Sequence, residues 1–121
     1  MIKTIERGWA GHFICANRCR FRRNTLIDAG ETKIVVSTVG LMESLNGDSF
    51  EKIGSGRYYE TMAFHTNKED TRYHDIDVEK QISFESEWAI NEIDADDKAN
   101  EMHDNVVREI VDEIKNGNRY E

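Results

Sequence analysis

A chain of 121 residues, 33% charged and 38% hydrophobic, has the size of one ordinary domain and enough apolar content to fold without metal or disulfide staples. Its formal net charge of −8 opposes generic binding to nucleic acid or to an anionic membrane, since the long-range field repels polyanions. No stretch approaches the roughly 18 apolar residues of a membrane helix, and Lys3, Glu6, Arg7 and His12 interrupt the amino-terminal run where a signal peptide needs an apolar segment; the expected location is the cytoplasm, where Cys15 and Cys19 are expected as thiols.

Residues 9–15 and 19–27 read as two strands around a tight turn at Ala16, Asn17 and Arg18, with Asn17 suited to a positive φ. Residues 28–31 supply the next turn. The β-branched run 33–39 is the strongest strand signal, and Gly40 is read as its end. A loop over 40–57 follows, rich in glycine and long enough to be a contact surface. Residues 58–65 form a fourth strand, and 67–71 turn the chain into a fifth. There Ile76, Val78, Ile82 and Phe84 alternate with Asp75, Asp77, Glu79 and Gln81, which gives an acidic outer face.

The period then changes. Ala95, Ala99, Met102, Val106, Ile110 and Ile114 step at three or four residues, which predicts a helix over 94–116. Asp94 suits the N-cap, Asp96 and Asp97 suit the positive end of the dipole, Gly117 suits the stop, and Asp104 with Arg108 forms an i, i+4 pair. These elements predict a single α+β domain over 1–121. Residues 1–84 are mainly β, an antiparallel, meander-like sheet of about five strands, with the C-terminal amphipathic helix packed on one face. With no proline in the chain, the open sheet has few edge guards, which leaves room for pairing into a homodimer.

Charge is segregated along the chain. Residues 85–121 hold twelve acids against four bases, whereas the first 84 residues balance at twelve and twelve; residues 7–27 contain five arginines with no lysine and no acid. A hairpin turning at Asn17 and Arg18 gathers Trp9, Phe13, Arg20 and Arg22 on one face, with Arg18 and Arg23 close by. Such a mixture stacks on bases and grips phosphates in single-strand binders, and it serves equally as a protein interface. The bland alternative is internal pairing with the acidic fifth strand or helix. Along the helix, Glu101, Asp104, Asp112 and Glu113 either solvate the outer face or imitate phosphate spacing and occupy a basic groove on a partner protein.

Reactive constellations are weak. His12, Cys15 and Cys19 make an H-x2-C-x3-C cluster that needs a fourth zinc ligand from His65, His74, His103 or an acid, and the spacing matches no usual zinc knuckle. Cys19 between Arg18 and Arg20 has a setting that favours thiolate, with packed thiol as the alternative. Gly54, Ser55 and Gly56 lack the Lys of a phosphate loop. No cofactor and no catalytic residue is assigned, and a small enzyme acting through Cys19 or a histidine stays open.

GWAGHFI at 8–14, CRFRRNTL at 19–26, KIVVSTVG at 33–40 and RYYETMAFH at 57–65 together resemble a small family of proteins encoded in phages and prophages. The resemblance covers most of the chain and brings no catalytic motif. It implies an accessory protein of the bacterial cytoplasm, in a class where inhibitors of host defence, anti-CRISPR proteins among them, are common. The leading expectation is therefore binding to a host or phage protein. Nucleic-acid binding through the arginine hairpin is the alternative.

Overall fold

The computed structural model describes residues 2–7, 18–44, 50–51, 58–70, 76–82 and 95–117. Six strands make one antiparallel sheet: β1 (Lys3–Glu6), β2 (Cys19–Asp28), β3 (Lys33–Glu43), β4 (Phe50–Glu51), β5 (Tyr59–Thr66) and β6 (Ile76–Ile82). The order is β1-β2-β3-β5-β6, with the two-residue β4 paired to the end of β3. Among the described residues one helix, α1 (Ala95–Lys115), follows. The class is α+β, as the periods predict. Four of the five predicted strands are present as β2, β3, β5 and β6, and the predicted strand at 9–15 lies outside the described residues.

Turn chemistry fixes the hairpins. Between β2 and β3 the Gly30 N–H donates to Asp28 Oδ1 at 2.9 Å, and Gly30 takes a φ of 87° that an L side chain resists. After β5, Asn67 does similar work, accepting from Glu69 N–H on its side chain and from Asp70 N–H on its carbonyl, both at 3.0 Å. Gly117, at φ 92°, ends α1 in the left-handed conformation, and its N–H donates to the Ile114 carbonyl at 3.1 Å.

Two strands escape the sequence pattern. The first is β1, four exposed residues that pair Glu6 with Thr25 and Lys3 with Asp28. The second is β4, which sits inside the stretch expected to be a loop. Gly40 is corrected as well, because it does not end β3. The strand runs on to Glu43, with Gly40 paired to Phe21 on one side and Tyr59 on the other. A Cβ at Gly40 would overlap the Tyr59 ring. The missing side chain lets the Phe21 and Tyr59 rings meet over it edge to face, centroids 5.6 Å apart. Glycine serves close approach here, and the chain takes its unusual turn one residue later, at Leu41, φ 53°.

Alternation puts Arg23, Thr25 and Ile27 of β2, Ile34, Val36 and Thr38 of β3, and Tyr59, Thr61 and Ala63 of β5 on one face of the sheet. Helix α1 covers that face. Its carboxyl-terminal half lays Val106 and Ile110 on Ile27, Ile34, Val36 and Ala63, and its amino-terminal half sets fully buried Ala99 against Tyr59.

Gly40→Ala should therefore lower stability by about 1–3 kcal/mol, the usual range for overpacking. The readout is a lower urea midpoint at constant m; an unchanged midpoint would mean that the Tyr59 ring moves aside freely.

Candidate functional site

The middle of the helix-facing sheet surface is polar. Arg23, Thr38 and Thr61 lie in one cross-strand row, with Thr25 beside it. Onto this row α1 aims His103, a fully buried residue in step with buried Ala99, Val106 and Ile110. His103 Nε2 lies 2.7 Å from Thr25 Oγ1, and Nδ1 lies 2.7 Å from Thr38 Oγ1. Thr38 Oγ1 is also 2.8 Å from Thr61 Oγ1.

Counting protons gives this chain a direction. Thr25 donates its one hydroxyl proton to Glu6 Oε2 at 2.9 Å, so it can only accept from His103. The imidazole then carries its proton on Nε2, and Nδ1 must accept from Thr38. Thr38 has no second proton, so Thr61 donates to it. The sequence is Thr61 to Thr38 to His103 to Thr25 to Glu6, each donor matched to one acceptor, ending on a carboxylate. Burial, with the positive charge of Arg23 adding to it, holds His103 neutral and lowers its pKa to about 4, although Glu6 and Asp104 act in the opposite direction.

Arg23 closes the network at the rim. Its Nε and Nη2 donate to the two Glu6 carboxylate oxygens at 3.0 and 3.2 Å, Nη2 reaches Asp104 Oδ1 at 2.7 Å, and Nη1 donates to the Asn100 carbonyl at 3.3 Å. One turn earlier on α1, the buried Tyr59 hydroxyl donates to Asp96 Oδ1 at 2.5 Å. Burial, the hydrogen bond and the Asp96 charge push the Tyr59 pKa well above that of an ordinary phenol. The amino-terminal half of α1 is thus tied down by polar contacts and the carboxyl-terminal half by apolar ones.

The outer face of α1 is acidic. Asp97, Glu101, Asp104, Arg108 and Asp112 follow at three- and four-residue steps, all exposed, on the side opposite His103. Over residues 95–117 there are seven acids against three bases. Of the expected partner-binding residues, Glu101 and Asp112 are exposed on this face, Glu113 is half-buried at its margin, and Asp104 is held by Arg23. The expected Asp104–Arg108 pair is replaced: Arg108 donates to Asn105 Oδ1 at 2.9 Å.

The arginine cluster is divided between the two sheet faces. Arg18 donates to the Glu43 carbonyl at 3.0 and 2.6 Å, and Arg20 pairs with the Glu43 carboxylate at 3.3 Å. Strand alternation puts Arg20 and Arg22 on the face away from α1, with Arg22 exposed, and Arg23 on the opposite face. Trp9, Phe13, His12 and Cys15 lie outside the described residues, as does most of the 40–57 loop. Cys19 is buried. Among the described residues no group of three or more His, Cys, Asp or Glu is placed to hold a metal, and no helix is long and apolar enough to cross a membrane. Compared with protein-family models, curated proteins and solved structures, the chain matches none.

The apolar stripe read from the sequence steps from Ala99 to Met102 to Val106 and passes over His103. Its signal was present: His103 stands four residues after Ala99 and seven before Ile110, both helix-core positions.

The proton order predicts unequal costs. Thr38→Val strips His103 Nδ1 of its donor and Thr61 of its acceptor, and should cost about 1–3 kcal/mol. Thr61→Val removes only the first donor of the chain and should cost clearly less; equal losses in chemical denaturation would contradict the order. Tyr59 gives an alkaline counterpart. Its folded pKa is raised, so as pH rises past about 10 the unfolded chain ionises first and stability falls. Tyr59→Phe should flatten that slope in urea midpoints compared between pH 9 and 11.

Proposed function

We propose that this protein works by binding another protein, without covalent chemistry, through the outer face of α1. The observation that carries the reading is an asymmetry of charge. Arg18, Arg20 and Arg23 are engaged with groups of the protein itself, which leaves Arg22 exposed on the far sheet face, whereas Asp97, Glu101 and Asp112 stand exposed together on a helix anchored along its length. His103 is fully buried between Thr25 and Thr38 at the helix–sheet interface.

The complementary surface is basic, since Asp97, Glu101 and Asp112 stand exposed on one face of α1 over about 22 Å of its axis, with Arg108 between the last two. The phage resemblance favours a host or phage protein as the partner, and occlusion of a nucleic-acid-binding surface of a defence complex as the action. The resulting mechanism is steric and electrostatic.

The test is capture from bacterial lysate with the tagged protein, with and without nuclease, beside the Glu101→Lys/Asp112→Lys variant. A defined protein retained after nuclease by the parent and lost by the variant, with the variant's melting temperature unchanged, is the expected outcome. Retention by the variant would sink the acidic-face reading. Recovery of nucleic acid that is lost on changing Arg20 and Arg22 to Glu would put the arginine surface in its place.

A further inference from the structure

We infer that His103 is an acid-sensitive latch, which holds α1 on the sheet while the imidazole is neutral and releases it when the ring takes up a proton. The geometry makes the case. The ring is fully buried, and both its nitrogens touch neutral hydroxyls, Thr25 Oγ1 and Thr38 Oγ1. A second proton, on Nδ1, would face Thr38 while Thr38 is donating. Thr38 would have to turn its proton to Thr61, and Thr61 would then lose the acceptor it now uses. Reorientation of the hydroxyls therefore cannot absorb the proton without leaving a buried donor unmatched.

Charge adds to this. Among the described residues the charged groups that act on the ring are Arg23 on β2, Glu6 on β1 and Asp104 on α1 itself; β3 meets it with Thr38 and β5 with Thr61, while Tyr59, bound to Asp96, and His65 lie along the same face of β5 on either side. Both carboxylates are already held by Arg23, and neither touches the imidazole directly in the hydrogen-bond chain. Among the described residues an imidazolium is thus buried without a counter-ion of its own.

The sign follows from linkage. The ring's pKa on the sheet is about 4, against 6.5 for a solvated histidine. Between these values the released state binds more protons, so docking weakens as pH falls from 6.5 toward 4 and is unaffected above 7. The docking equilibrium should shift about twentyfold between pH 7 and pH 5. Release would uncover Ile27, Ile34, Val36 and Ala63. The inference does not depend on the proposed docking face.

Amide hydrogen exchange of the intact protein at pH 7 and pH 5, corrected for intrinsic rates, tests it beside His103→Gln, whose amide can donate to Thr25 and accept from Thr38 without titrating. The expected result is an α1 protection factor that falls about twentyfold in the parent and stays level in the variant, while β2 and β3 amides remain protected. An equal fall in the variant overturns the latch, as does loss of sheet protection in step with α1. If the variant does not fold, the ring's own NMR titration decides. Titration near pH 4 with parallel opening of α1 supports the latch, and titration near 6.5 with α1 still protected refutes it.

Discussion

The interaction on which the fold depends is the hydrogen-bonded chain from Thr61 through His103 to Glu6, because it makes a polar helix–sheet interface tolerable. A buried imidazole or hydroxyl without a partner costs more than an average hydrogen bond returns. Here each donor meets one acceptor, and the excess ends on a carboxylate at the rim. Apolar contacts alone would let α1 slide on the sheet at modest expense. With His103 in place, a shift of one turn would pull the imidazole off Thr25 and Thr38 and leave the Thr38 proton without its acceptor, although Thr25 keeps Glu6 and Thr61 keeps Thr38. The chain sets the register of the helix, and Val106 and Ile110, with Met102, Val107, Val111 and Ile114 around them, then supply apolar burial.

The same contacts alter the meaning of the charge pattern. Two of the acids that make α1 look like a free anionic rod, Asp96 and Asp104, are bound to Tyr59 and Arg23. Glu6, an exposed acid on the edge strand, is turned inward onto Arg23 and Thr25. Part of the segregation between an arginine-rich start and an acidic end is therefore the molecule's own cohesion. Arg23 joins the first strand, the second strand and the helix in one bidentate pair and its branches.

Much of the architecture was legible because local chemistry and period agree. Asp28 with Gly30, Asn67 and Gly117 each mark a turn or stop by a known mechanism, residues 33–39 form a β-branched run, and residues 95–115 carry a helical period. Three features were hidden for physical reasons. Gly40 looks like a strand end because glycine has two uses, conformational freedom and absence of a side chain, and only the cross-strand partner Tyr59 shows which applies. KTIE at 3–6 is four exposed residues with no buried face to impose alternation. His103 was passed over because a polar residue in an apolar stripe carries no sign of its partners until three strands bring Thr25, Thr38 and Thr61 beneath it. The division of the arginines was within reach, since residues 22 and 23 of one strand must face opposite ways.

In the proposed binding role, the rigidity of α1 matters more than the number of its carboxylates. A single exposed ion pair is worth little, because water and salt screen it and two flexible side chains must be ordered. What a row of acids gains comes from being held in place before the partner arrives. Tyr59 fixes the helix at Asp96, His103 and Arg23 fix it over residues 100–104, and Ile110 fixes it farther on. Asp97, Glu101 and Asp112 are thereby held in fixed positions on the face turned away from the sheet. Whatever loosens the inner face must also scatter the outer one, so the buried hydroxyl chain and the exposed acidic row are two sides of a single constraint.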